Sequence, residues 1–562
     1  MKKGIRILGV LLSICILIGS LSSCTPLLLK DILENIVIEK RTEATTEAST
    51  EPTAPSDESE PEEIASDLEY RLTEADLLAF NELLARCEAA FLDPNSTEEN
   101  LEQIEDQFSK AYYHIVTQSQ LAYIGYCLNT ADQERADDYL FSSKASADAY
   151  HGYMQLCKRM DVSDSVWRDR FFEGWSDADF AEMRGFSEEL TQLSQENDQI
   201  LVSYRDLNDE QFYEGAAEHY LRLTENNNRI AELNGYENYW QYATAEVYGR
   251  DYGAEELAQM RVYVKTYLVP LCETAYTAFR TQYDAFADDE KQFVEDLLVR
   301  ADYDSFATDY VEGYLSTFGE EIEAAMGGML KKENSFFTDS DTAYEGAFTM
   351  YLYSAKRPIC FFGPGYQNVD TVVHEMGHYY SYLLNGNRSV PMDLSEVQSQ
   401  GNEWLFGAYL NDVLEQDVAK AIYSYRLYNA LCTVIIGTMV DEFEQACYES
   451  ESLSLDGVDS IMTALKAEYG GDEWLDDYVT DMDLYWRYVA VEQSVYYVSY
   501  AVSMLAAVQI YGVAEIQSYE KAMEIYISLM EPKGYPFLEC LEKAGLKSPM
   551  DEELYLELEQ LI

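Results

Sequence analysis

Histidine is scarce in this chain, with five in 562 residues and none beyond His378. Basic residues are also few, 38 Lys+Arg against 103 Asp+Glu, for a formal net charge of −65. Such a chain lacks the positive footprint that nucleic-acid binding needs, and its folded part would be repelled by anionic lipid. The excess charge reads most simply as a solubilising surface, although it would also draw cationic peptides or metal cations. Proline is limited to 12, three of them in one short stretch, so long helices meet little interruption. There is no Cys-x-x-Cys pair among the 10 cysteines, which excludes a Cys-rich zinc site. Gly363-Pro364-Gly365 lacks the Lys and Ser/Thr that would follow in a phosphate loop. No fixed-period repeat is visible. What the chain does have is 47 % apolar and 13 % aromatic residues, enough for a substantial core.

The N-terminus reads as a processing signal. Lys2, Lys3 and Arg6 form a positive region, residues 7–20 are apolar, and Leu21-Ser22-Ser23-Cys24 follows. A secretory signal has this layout, and the stretch is too short and wrongly flanked for a stable membrane span. The last four residues resemble a bacterial lipobox, which implies cleavage before Cys24 and acylation of its thiol. The expectation is a signal peptide over 1–23 and a protein anchored by lipid on the outer side of the cytoplasmic membrane. No other stretch reads as a membrane span. Residues 41–67 hold nine acidic residues and three Pro with no apolar periodicity, so 24–67 is expected to be a self-repelling tether. The eight cysteines beyond Cys24 are scattered. They read as small buried hydrophobes, though disulfides are permitted outside the cytoplasm.

From Leu68 to about Gly328 the apolar pattern follows a 3.6-residue period, as in Leu77-Leu78, Leu83-Leu84, Cys87 and Phe91. Residues 344–363 differ, with two alternating β-branched and aromatic runs around a Lys-Arg-Pro break, and predict a small β-hairpin. Helical patterning resumes at Asn368 and continues nearly to the end.

Directly after the hairpin comes His374-Glu375-Met376-Gly377-His378, an HExxH motif. Residues i and i+4 share a helix face, so both imidazoles can bind one metal ion, with Glu375 beside them as general base. Asn368 or Asp370 can cap this helix. Val372, Val373, Met376, Tyr380, Leu383 and Leu384 supply an apolar stripe, and Asn385-Gly386 ends it. A catalytic zinc needs a third protein ligand and an open position. With no histidine downstream, a carboxylate must serve, and Glu396 is the leading candidate. Asp393 can cap its helix, and Glu396, Ser399 and Glu403 share one face. The plainer reading of Glu396 is an ordinary carboxylate near a helix start.

Together these stretches resemble the thimet oligopeptidase / oligoendopeptidase F family of zinc peptidases. The matching pieces are VDTVVHEMGHYYSYL (369–383), the spacing of Glu396, Ser399 and Glu403, LNGYENYWQYATAEVYGRDY (233–252), YYVSYAVS (496–503) and PFLECLEKAGL (536–546). The resemblance implies a mainly α fold, two helical lobes around a deep channel, and a small β-sheet beside the HExxH helix. It implies Zn2+ held by His374, His378 and Glu396, with Ser399 and Glu403 in support. It also implies short peptides as substrates, bound along an edge strand placed at YLYSAKRPICFF. The expected division is a helical lobe over 68–340 and a catalytic region over 341–562.

The chain departs from the family pattern in two places. The link from His378 to Glu396 is short. The histidine that the family sets before its tyrosine cluster is missing, with Ala490 or Val491 in its place. Tyr496, Tyr497 and Tyr500 remain, and Tyr500 with one of the other two is expected to donate to the oxyanion. His114, His151 and His219 show no ligand spacing and read as structural. The expectation is a monomeric, lipid-anchored zinc endopeptidase acting on short peptides outside the cytoplasm, with no nucleic-acid partner. A peptide-binding lipoprotein of weak or no activity and a zinc exopeptidase are the alternatives.

Overall fold

The computed structural model describes residues 68–558 except 176–179, 181–182, 208, 299–304, 387 and 471–481. The expected signal segment, Cys24 and the acidic stretch to residue 67 lie outside the described residues.

The fold is mainly α, with one small sheet. The chain enters through α1 (Glu74–Leu92), α2 (Glu98–Cys127), α3 (Gln133–Asp161) and α4 (Glu188–Arg205). Helix α1 opens on a Thr73 capping box and buries Phe80, Leu83, Cys87 and Phe91, while Leu78 points outward. Further on, two π-helical turns interrupt the helices, at Ala243–Val247 and Val264–Leu268. Helix α5 (Val269–Ala285) follows the second.

The sheet comprises β1 (Ser335–Phe337), β2 (Ala347–Leu352) and β3 (Arg357–Phe362), in the order β1-β3-β2. Strands β2 and β3 form the expected antiparallel hairpin, with Thr349 opposite Cys360. The three-residue β1, parallel to β3, is too short to show an alternating pattern in the sequence.

The sheet lies between two apolar cores. Phe348, Met350, Leu352, Ile359 and Phe361 join the core of α1–α3. Ala347, Cys360 and Phe362 join the larger core formed by residues from about 200 onward. Alternation along the strands therefore assigns successive side chains to different cores. A buried ion pair also links the two parts: Arg205 of α4 reaches Glu492 at 2.5 Å, with its guanidinium over the Tyr344 ring.

Beyond the sheet come α6 (Val369–Asn385), α7 (Met392–Val413), α8 (Gln416–Tyr448), α9 (Met482–Glu492) and α10 (Val498–Ile516). By length and composition α10 could cross a membrane, but two-thirds of its apolar window is buried, and it packs against α7 and α8 as a core helix. None of the eight described cysteines forms a disulfide, and all are buried, as small hydrophobes would be.

Candidate active site

Helix α6 carries HExxH. Asn368 caps it, accepting from the Thr371 N–H at 2.9 Å, and Gly386 ends it with φ of 60°. Asp370 does not cap. It forms a buried ion pair with Arg426 of α8. The expected apolar stripe is buried at Val372, Val373 and Met376, but Leu383, near the end, is exposed.

Helix α7 lies directly across α6, and Gly377 allows the approach. A Cβ at that position would sit 2.3 Å from the Gln398 carbonyl oxygen and 2.8 Å from Ser399 Cα. The glycine of the motif is thus the point where the two helices touch, and the contact carries Glu396 over the histidines. Asp393 does not cap α7 as expected. The helix starts on Pro391, and Asp393 instead accepts from Tyr252 Oη at 2.7 Å and Ser499 Oγ at 2.6 Å.

The structure brings His374, His378 and Glu396 together. One ligand atom from each lies within 4.8 Å of the others. His374 Nε2 is 3.7 Å from one Glu396 carboxylate oxygen, and His378 Nε2 is 3.7 Å from the other. Ligand atoms about 2.0–2.2 Å from a tetrahedral zinc stand roughly 3.4 Å apart, so this spacing fits. The second nitrogens are occupied: His374 Nδ1 bonds Glu403 at 2.6 Å and His378 Nδ1 lies 3.2 Å from Ser395 Oγ. Both Nε2 atoms therefore face the common point. His374 Nε2 is buried there with no hydrogen-bond partner, as a metal-ligating nitrogen would be.

Electrostatics separate the two imidazoles. Burial pushes His378 down to about 4, so it is neutral and free to ligate. Burial also opposes charge on His374, but the Glu403 contact outweighs it and lifts the ring to about 9 without a metal. Glu375 is 1 % exposed, and burial raises its carboxyl to about 7 against the opposing pull of His374 and Thr349. A general base poised near neutrality suits proton transfer at physiological pH.

The supporting residues are as expected in part. Ser399 donates to Glu396 Oε2 at 3.2 Å, and Glu403 holds His374. Sequence reasoning missed three others. Thr349 of β2 donates to Glu375 Oε2 at 2.6 Å, Ser395 meets His378, and Tyr382 extends the histidine face by one turn. Burial, then the charges of Glu375 and Glu396, push the Tyr382 phenol up to about 12. Strand alternation was the available signal for Thr349, and i+4 spacing from His378 for Tyr382.

The tyrosines divide. Tyr496 donates its hydroxyl to Glu396 Oε1, so it sits on the carboxylate. The Tyr500 ring stands edge-on to Tyr496 at 4.9 Å and to Tyr497 at 5.3 Å. Tyr496 and Tyr497 precede α10 in a tight turn in which Val495 has φ of 61°. A left-handed β-branched residue costs of order 1–3 kcal/mol and persists only where its surroundings fix it. Ala490 and Val491 are buried in the core along α9. Elsewhere, His151 bonds Thr191 at 3.0 Å and His219 bonds the Gly215 carbonyl at 2.6 Å, both structural contacts.

No protein-family model matches this chain, and no curated protein matches it by sequence. Solved structures do match. One described as an oligoendopeptidase F from Bacillus anthracis str. Ames has 17 % identity, covers 89 % of this chain and 97 % of its own, and superposes with a TM-score of 0.68. The chain has the oligoendopeptidase F fold. A second oligoendopeptidase F structure gives a TM-score of 0.69 at 16 % identity over 87 % of this chain and 96 % of that one. PZ peptidase A with an inhibitor gives 0.68 at 16 %, over 88 % and 97 %. The mainly helical architecture with a small sheet beside HExxH, implied by the sequence resemblance, is therefore the observed one. Fold is what these chains share, and the chemistry of this oligoendopeptidase F-like chain has to be read from its own side chains.

Proposed function

We propose that this protein is a zinc-dependent endopeptidase that hydrolyses short peptides outside the cytoplasm, attached to the membrane by lipid on Cys24. The observation that carries the reading is the unpartnered, buried His374 Nε2 facing Glu396, with the Glu375 carboxyl on the same helix. His374, His378 and Glu396 would hold the ion, which when bound supplies Lewis acidity to the scissile carbonyl and to the attacking water.

The rest is done by this chain. Glu375, oriented by Thr349, takes the proton of the attacking water and passes it to the leaving amine. The Tyr500 ring packs against Tyr496, which holds the ligand carboxylate, and against Tyr497, and from this cluster a phenol would donate to the developing oxyanion. Tyr382 remains protonated across the working pH range and is a further donor facing the site. YLYSAKRPICFF, expected to supply the edge strand, is mostly β3, the central strand; the edge strand is β2, and a peptide laid against it in extended form would cross the face of Glu375.

The test is hydrolysis of an internally quenched peptide library by detergent-solubilised full-length protein, with and without a chelator. Internal cleavage that chelation abolishes and zinc restores supports the reading. Capture of peptides without cleavage would leave a binding protein, and trimming from one end only would make it an exopeptidase. Loss of radiolabelled acyl incorporation in Cys24→Ala tests the anchor.

A further inference from the structure

The turn that carries Tyr496 is held by side chains from two distant parts of the chain. Tyr248 Oη donates to the Ser494 carbonyl at 2.7 Å, and its ring packs 5.7 Å from that of Tyr496. Arg250 Nη2 donates to the Val495 carbonyl at 2.8 Å and to Ser499 Oγ at 3.0 Å. Glu444 of α8 accepts the Val495 N–H at 2.7 Å. Ser499 in turn donates to Asp393, one turn before Glu396 on α7. Gly437 of α8 makes the seat, since a Cβ there would lie 2.7 Å from the Tyr497 carbonyl oxygen. Both backbone polar atoms of the left-handed Val495 are thus engaged by buried side chains; Arg250 Nε lies 3.6 Å from Asp393 Oδ1, while Arg250 Nη1 and Glu444 Oε2 have no hydrogen-bond partner among the described residues. Burying two such groups incompletely satisfied is costly, and structures retain such groups where they fix a geometry.

We propose that Arg250 and Glu444 are positioning residues that lock Val495 in its left-handed conformation and so place the Tyr496 hydroxyl on Glu396 Oε1. The carboxylate is then gripped from both sides, by Tyr496 on Oε1 and Ser399 on Oε2, and presented to the two histidines in a single orientation. The clamp therefore acts on metal affinity, and it acts through Tyr496. This inference rests on the reading of His374, His378 and Glu396 as metal ligands.

The experiment is a double-mutant cycle on zinc affinity, measured by competition of the full-length apoprotein with a chromogenic chelator. Tyr496→Phe and Glu444→Ala are each expected to weaken zinc binding by about 10–100-fold, the usual effect of losing a group that orients a ligand. In the Tyr496→Phe background, Glu444→Ala should cause no further loss, because both act along one path. Adding Val495→Gly to Glu444→Ala should restore most of the affinity, since glycine adopts the left-handed conformation without support. If Glu444→Ala fails to fold, Tyr248→Phe removes a single hydroxyl of the clamp. It should weaken zinc binding several-fold, again only when Tyr496 is present. Losses that multiply independently in wild-type-like zinc binders would overturn the clamp alone. A wild-type protein that takes up no zinc would overturn the reading of the site, and the clamp with it.

Discussion

The two sides of Glu396 are built in opposite ways. On one side, the histidine helix α6 places His374, Glu375 and His378 by spacing alone, within one helix and with ordinary backbone geometry. On the other, Tyr496 depends on a left-handed valine and on partners far away in sequence, Tyr248, Arg250 and Glu444. A regular element fixes side-chain direction locally, so its chemistry is written in its period. A turn fixes nothing by itself, and its geometry is set by whatever packs around it.

That contrast can be broken or sharpened by substitution, starting where the effect is greatest. Glu375→Gln keeps size and removes the base. Peptide turnover should fall by at least about 10²–10⁴-fold while zinc remains bound, as metal analysis and steady-state kinetics on one quenched peptide would show. Near-normal turnover would mean that the proton is handled elsewhere. Glu396→Ala should abolish stable zinc binding. Glu403→Ala should weaken zinc affinity or activity by about 10–100-fold, through loss of the bond to His374, with competition titration as the measure. The reverse order would make Glu403 the ligand. Tyr500→Phe should lower kcat about tenfold with KM little changed, because a donor to the oxyanion acts only in the transition state. A change confined to KM would make Tyr500 a substrate-positioning group.

The smallest effect lies away from both sides. Asp198 of α4 is buried, and the Ser143 hydroxyl donates to its carboxylate. Burial lifts it from 3.8 to about 7. The folded state therefore binds this proton more tightly than the unfolded chain does, and stability on its account falls as pH rises from about 4 to about 7. Asp198→Asn should raise the melting temperature by a few degrees at pH 8, with the gap closing towards pH 4. An equal gap at both pH values would mean that the charge is not the cause.

How much of this could be read from the sequence follows the same division. HExxH, the hairpin, and Glu396, Ser399 and Glu403 on one face all rest on period 3.6 or period 2, which the chain displays openly. Asp393 was expected as a cap because such residues often start helices, yet Tyr252 and Ser499 recruit it from other elements. Thr349 and Ser395 are single hydroxyls of common residue types, made functional only by the strand and helix that face α6. Nothing local singles out Arg250 or Glu444, since the turn they hold is 245 and 51 residues away.

The strand that orients Glu375 also limits how this protein can change. Alternate residues of β2 belong to different cores: Thr349 faces the histidine helix, while Phe348 and Met350 fill the core of α1–α3. A one-residue insertion or deletion in the strand would exchange the two sets. It would set an aromatic or thioether side chain against the general base and a hydroxyl in an apolar interior. Substitutions within β2 can be tolerated singly, but a length change there would damage the base and the N-terminal helices in one event. Natural length variation among chains of this fold should therefore fall in the loops around β2 and spare the strand.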